Sequence, residues 1–151
     1  MTIVNGLDES KALTGRDLGR SDWLEITQER VSQFADATGD HQWIHVDVER
    51  ARGGPFGATI AHGYLTLSLV IPLLTAMLEI RGTTMSVNYG LDKVRFPHPV
   101  RVGSKIRLAA TVAEAAEVAG DGVQMLIDLT VEIDGEPKPA CAARAVLRHY
   151  F

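Results

Sequence analysis

Residues 27–38, TQERVSQFADAT, set Val31, Phe34, Ala35 and Thr38 at i, i+3, i+4 and i+7, one stripe of an amphipathic helix. Thr27 offers an N-cap hydroxyl, and Gly39 takes the left-handed C′ conformation without penalty. The helix is therefore expected to stop at about residue 38, leaving Asp40 just outside it. A second helical turn is expected from Asp47 to Arg52, ended by Gly53, Gly54 and Pro55. From Ala58 to Leu78 the chain has no Lys, Arg, Asp or Glu. That length matches a bilayer span. However, His62, Gly63, Thr66, Ser68, Pro72 and Thr75 interrupt it, and its flanks show no clear cationic bias. The reading is that the loop FGATIAHG leads into a long buried helix, apolar on all sides, bent where Pro72 removes a backbone hydrogen bond.

After Gly82 the period changes to two. Met85, Val87, Tyr89 and Leu91 alternate with Ser86, Asn88 and Gly90, and Val94 and Phe96 continue in the opposite phase. A slip of one residue predicts a bulge near Asp92 and Lys93. Further alternations run through Ile106–Val112 and Val123–Ile133, and a last strand reaches about Tyr150. The turns between them are PHPVRVGS, AGDG and DGEP, so the strands read as an antiparallel meander. Trp23–Ile26 offers a further strand. An all-apolar helix must be covered, and a curved sheet wrapped around it does so. The expected class is α+β, with residues 1–151 as a single domain.

Composition narrows the function classes. The chain has 151 residues, enough to bury roughly 70% of its unfolded surface. Its net charge of −4 disfavours a nucleic-acid partner, which a basic face would announce. The single cysteine, Cys141, cannot form an internal disulfide, and its small apolar neighbours read as a buried thiol. MTIVNGLDESK has no cationic stretch followed by an apolar one, so no secretory signal is expected. The expected location is the cytoplasm, with no membrane partner.

The densest chemistry lies in GDHQWIH, residues 39–45. Asp40 and His45 are five apart, about 140° around a helix and on opposite faces of a strand. Only an irregular turn brings them together, and Trp43 and Ile44 are expected to anchor that turn in the core. Three readings stay open on the residues alone. Asp40 caps the next turn and His45 is a satisfied buried side chain. Alternatively, His41 and His45 ligate a metal, against which stand the Gly39 helix stop and the missing acid of HExxH. Or Asp40 and His45 grip one water for acid–base work, their proximity favouring both charged forms at neutral pH.

FADATGDHQWIHVDVERA resembles the signature of the MaoC-like (R)-specific enoyl-CoA hydratases, matching at Gly39, Asp40, Ile44, His45 and Ala51. Gln42 and Trp43 replace the usual Asn-Pro. FGATIAHGYLTLSLV is similar to that family's entry into its central helix, and VRFPHPVRVGSKIRL to the strand–turn–strand beyond, so the likeness covers most of residues 26–112. It implies a hot-dog fold, a curved antiparallel sheet around a long central helix, paired as a homodimer. It also implies reversible syn hydration of trans-2-enoyl-CoA to the (3R)-hydroxyacyl-CoA, with Asp40 as base and His45 as acid, and no metal.

The developing oxyanion then needs donors. Gly63, near the start of the helix, has an N–H without an intrahelical partner, and a glycine lets the thioester approach. Ile60, Ala61 and His62 on one side and Ser86, Val87, Asn88 and Tyr89 on the other are the expected walls for the acyl chain, with Pro97 nearby. Lys93, Arg95, Arg101 and Arg148 are candidates for the phosphates of coenzyme A, which enters as substrate; no cofactor is implied. Rival functions are a (3R)-hydroxyacyl-carrier-protein dehydratase, a thioesterase, disfavoured because residues 58–78 hold no carboxylate, and a non-catalytic acyl-binding subunit.

Overall fold

The computed structural model describes residues 1–151. The chain opens with β1 (Thr2–Asn5), α1 (Gly6–Lys11), β2 (Asp17–Arg20) and β3 (Leu24–Glu25), the last being all that forms of the strand expected at 23–26. Helix α2 (Gln28–Thr38) has the ends its sequence dictates. Thr27 Oγ1 accepts from the Arg30 N–H at 3.3 Å. Gly39 closes the helix at φ 78°, donating to the Ala35 carbonyl at 2.8 Å. Two short helices follow, α3 (Trp43–Val46) and α4 (Val48–Arg52), and the Asp47 carboxylate caps α4 by accepting from Arg50 N at 3.0 Å.

The stretch FGATIAHG is the expected loop into the helix, joining it only at its last residue. Residues 59–61 lie extended: Ile60 N donates to Ile44 O at 2.9 Å and Ala61 N to Val100 O at 2.8 Å. The helix begins at Gly63, near the expected start, but does not run unbroken: it is cut into α5 (Gly63–Ser68) and α6 (Val70–Thr75). Pro72 is the cause, because it has no N–H for the Ser68 carbonyl four residues back. Leu69 keeps helical angles at the break, and Leu73 N still donates to its carbonyl at 3.3 Å. Nor is the helical segment covered all round. Leu65, Leu69, Leu73 and Leu74 are buried, but Tyr64, Ser68, Pro72 and Thr75 form an exposed stripe. After Met77 the chain leaves the helix for β4 (Leu78–Arg81), which pairs in parallel with β1. No helix is long and apolar enough to cross a membrane.

The large sheet is built from β5 (Met85–Arg95), β6 (Lys105–Val118), β7 (Gly122–Ile133) and β8 (Cys141–Tyr150), with β2 and β3 beside β6. Its order is β2-β6-β7-β8-β5, and every pairing is antiparallel. Only β6–β7–β8 is a meander. β5 does not pair with β6 but lies at the far edge against β8. The connecting stretch 96–104 is bound elsewhere: Val102 N donates to Thr59 O and Gly103 N to Ile26 O. Register shifts in β5 fall at Tyr89 as well as at the expected Asp92.

One face of the sheet, with Leu108, Val112, Met125, Ile127, Val131 and Cys141, joins the helical segment in a continuous core. Cys141 is a free buried thiol, and burial pushes its pKa up to about 11. The sheet around a helical segment is the arrangement expected of a hot-dog fold. Ile127, fully buried at the centre of β7, tests this core. Ile127→Ala is expected to lower stability by about 2–5 kcal/mol in urea unfolding, whereas Glu49→Ala on exposed α4 stays within about 0.5 kcal/mol.

Candidate active site

The turn after Gly39 is shaped by its polar groups. Asp40 Oδ1 accepts from Gln42 N at 3.4 Å, so one carboxylate oxygen does serve the turn. Gln42 precedes α3, whose single turn carries His45 inward to 6% exposure. There the imidazole Nδ1 donates to the Ile60 carbonyl at 2.7 Å. A carbonyl only accepts, so this bond fixes the tautomer and leaves Nε2 an unprotonated acceptor. Nε2 has no hydrogen bond within the chain and is not among the sealed, unpartnered atoms. Trp43 and Ile44 do not anchor the turn in the core as expected; both are half-buried and outside it. Trp43 instead lies under the Arg50 guanidinium at 4.3 Å and against Gly54, where a Cβ would come within 3.0 Å of the ring.

His62 completes the group. Its ring stacks on His45 with centroids 3.8 Å apart and planes at 22°. Nε2 donates to the Asp40 backbone carbonyl at 2.9 Å and lies 4.0 Å from Asp40 Oδ2. At 3% exposure His62 does not line the cavity that His45 borders, and its contacts are to Asp40 and His45. A carboxylate oxygen of Asp40 and one ring nitrogen from each histidine all lie within 4.8 Å of one another. A water about 2.8 Å from each group spans such a gap. Asp40 and His45 therefore converge, as the acid–base reading requires.

The other expected residues divide between places. Ile60, Ala61 and Gly63 line a cavity of about 320 Å³ with His45. Phe56, Phe96 and His98 also line it, and sequence reasoning did not single them out. Phe96 and His98 stand in the quoted VRFPHPV, so that stretch held the signal. The Gly63 N–H has no partner within the chain. The side of Gly63 where a Cβ would project is filled by Phe96, at 3.0 Å, so the glycine there admits an aromatic ring rather than the thioester.

Ser86, Val87 and Asn88 do not face Ile60 and Ala61. They line a separate groove of about 380 Å³ against Ile71, Leu74 and His149. Tyr89 and Arg148 lie on the outer face of the sheet, the guanidinium 3.5 Å over the ring and its Nε donating to Gln124. Pro97 is exposed and lines neither space. Lys93 and Arg95 border a surface depression shared with Asp92, Asp128 and Arg144, and Arg101 is exposed.

The sequence model of the MaoC like domain matches residues 9–132. The chain belongs to the MaoC-like dehydratase family. This makes it a hydro-lyase. The MaoC-like chain is 51% identical over 149 residues to 3-hydroxyacyl-thioester dehydratase Z of Mycobacterium tuberculosis, covering 99% of each. Its fold matches the (R)-hydratase of A. caviae involved in PHA biosynthesis with TM-score 0.69 at 25% identity, over 89% of this chain and 94% of that one. It also matches a monoamine oxidase regulatory protein from Archaeoglobus fulgius with TM-score 0.77 at 23% identity, over 100% and 99%. The MaoC-like signature's Asn-Pro is Gln42-Trp43 here. Trp43 occupies the first position of α3, where a proline also fits because that N–H has no helical partner, so the turn survives the replacement.

The electrostatics of this MaoC-like site differ from the expectation of two charged groups. Burial, the largest influence, pushes His45 below its ordinary 6.5; the Ile60 carbonyl raises it, stacked His62 lowers it, and Asp40 raises it. His45 is thus neutral at pH 7, with a bare Nε2. The triad's spacing also suits a metal, but nearly parallel stacked rings do not converge their lone pairs on one ion at about 2.1 Å. Long-range ¹H–¹⁵N spectra are expected to show His45 as the Nδ1–H tautomer titrating below 6.5. Because its folded pKa is depressed, its contribution to stability is complete above 6.5 and lost as pH falls through the folded value. The fall in Tm between about pH 7 and pH 5 should therefore be smaller in His45→Gln.

Proposed function

We propose that this MaoC-like hydro-lyase interconverts (3R)-hydroxyacyl-CoA and trans-2-enoyl-CoA. The observation that carries this reading is the Asp40 carboxylate and a ring nitrogen of His45 within one water's reach, with His45 also lining a cavity shared with Gly63, whose N–H is unpartnered. In dehydration, His45 Nε2 takes the proton from C2. Negative charge develops on the thioester oxygen, where the Gly63 N–H receives it. The C3–O bond then breaks, and the imidazolium returns its proton to the leaving hydroxyl, which departs as water. Asp40 accepts a hydrogen bond from that hydroxyl and favours the imidazolium. Hydration runs the steps in reverse, with His45 taking a proton from water and delivering it to C2. His45 therefore serves as both base and acid, in place of the division first expected between Asp40 and His45, because a neutral ring has no proton to give until it has taken one.

The apolar walls of the cavity, Ile60, Ala61, Phe56 and Phe96, suit the acyl part of such a substrate. The M. tuberculosis relative is named for hydroxyacyl thioesters without a stated handle. A carrier-protein thioester is the second reading, separated by comparing kcat/KM on crotonyl-CoA and on the crotonyl carrier protein. The pairing of two copies is part of the proposal. It is supported by an unpartnered sheet edge at β5, where Met85, Tyr89 and Leu91 are 53%, 58% and 45% exposed, and by the bare stripe on the helical segment.

Purified protein should hydrate crotonyl-CoA, followed as loss of enoyl absorbance. Asp40→Asn and His45→Asn should each lower kcat by about 10²–10⁴-fold. Full activity in both variants overturns the site. The kcat/KM for dehydration should fall only on the acid side, with a midpoint below 6.5, because His45 must be neutral to begin. Light scattering should give twice the chain mass of 16.4 kDa, and Tyr89→Asp should weaken that association.

A further inference from the structure

We infer that Gln28 and Thr59 form a polar clamp that positions His45, an inference that rests on His45 being the proton carrier. The imidazole has one fixed hydrogen bond, to the Ile60 carbonyl, so the aim of Nε2 depends on where two backbone segments sit. Gln28, in the first turn of α2, holds both. Its Nε2 donates to the His45 carbonyl at 2.8 Å, and its Oε1 accepts from the Thr59 hydroxyl at 2.6 Å. Thr59 immediately precedes Ile60 and is 3% exposed, so its hydroxyl has no water to turn to. The second Nε2 hydrogen goes to Ser32 Oγ at 3.2 Å.

Every donor of the amide is thereby used, and its orientation is fixed. A flipped amide would set Oε1 against the His45 carbonyl, acceptor against acceptor. Core packing cannot replace this clamp, because Trp43 and Ile44 lie outside the core. The amide joins α2, α3 and the extended segment before α5 at one point. A displacement of about 1 Å at a reacting group lowers rate by as much as 10²-fold. Gln28 and Thr59 touch neither the reacting atoms nor the cavity, so they act only through His45.

The test uses Gln28→Ala, Thr59→Val, Thr59→Ser and, as a control, Gln33→Ala, whose amide on the same helix bonds only to Glu29. kcat and KM for crotonyl-CoA hydration and the NMR titration of His45 are measured in each. Gln28→Ala and Thr59→Val should lower kcat about tenfold or more with KM within about threefold, and the double variant should fall little beyond the worse single one. Thr59→Ser should restore the rate. The His45 midpoint should rise back toward 6.5 in the two damaging variants, as loosened packing readmits water, and stay put in Gln33→Ala. Wild-type kcat and an unmoved His45 titration in Gln28→Ala and Thr59→Val, whatever their Tm, would overturn the clamp. The titration reads the clamp even if wild-type protein leaves crotonyl-CoA untouched, a result that counts against the hydratase reading alone.

Discussion

His45 gives its Nδ1 proton to the Ile60 carbonyl across 2.7 Å, and in doing so decides what the site can do. The bond is buried, so neither partner has water as an alternative, and losing it would strand a polar group at a cost of about 1–3 kcal/mol. It keeps Nε2 bare. It also works in both directions along the chain, because Ile60 N donates to the Ile44 carbonyl one residue before His45. α3 and the segment before α5 are thus laced together by two short bonds, and His62, two residues beyond Ile60, is delivered face-on to the His45 ring.

That lacing constrains the apolar run. Had the helix begun at Ala58, the Ile60 carbonyl would have been taken by the Tyr64 N–H four residues on. It would then be lost to His45. The extended stretch 59–61 is what leaves that carbonyl free, and it also frees Ala61 N for Val100 and Thr59 O for Val102. The late start of α5 at Gly63 is therefore a condition of the site. Phe96 adds a second reason for that glycine, since its ring sits where any side chain would go.

Much of this was legible in the residues. Thr27 and Gly39 bracket α2 by cap chemistry that needs no tertiary information, and the alternation of Ile127 with its neighbours marks β7 as plainly as any pattern can. The start of α5 near Gly63 was legible too, but the extended course of 59–61 was not, because a buried extended segment carries no periodicity of its own over so few residues. The far-edge place of β5 was hidden too, since PHPVRVGS reads as a turn until its amides are seen bound to Ile26 and Thr59. Within the site, the motif located Asp40 and His45. It did not give the charge on His45, which burial and a ring seventeen positions away in sequence decide. Gln28 escaped notice for the same reason: an amide in a first helical turn reads as ordinary until both its partners are known.

Asp40 and His45 end in unlike surroundings, and the difference suits the work proposed for them. Asp40 has its side chain 54% exposed and does not line the cavity that His45 does. His45 stands between solvent on the Asp40 side and an apolar chamber on the Gly63 side. A carboxylate left on the solvent side needs no buried partner and is open to the entering or leaving water. An imidazole at the wall of an apolar chamber is driven neutral, which is the form that can take a proton from carbon or from water. His62, buried behind the pair, stacks on one group and bonds the backbone of the other. The polarity of the site thus follows from the depth at which each residue of one seven-residue turn is set, and that depth is fixed by the bonds reaching α3 from Gln28 and from Ile60.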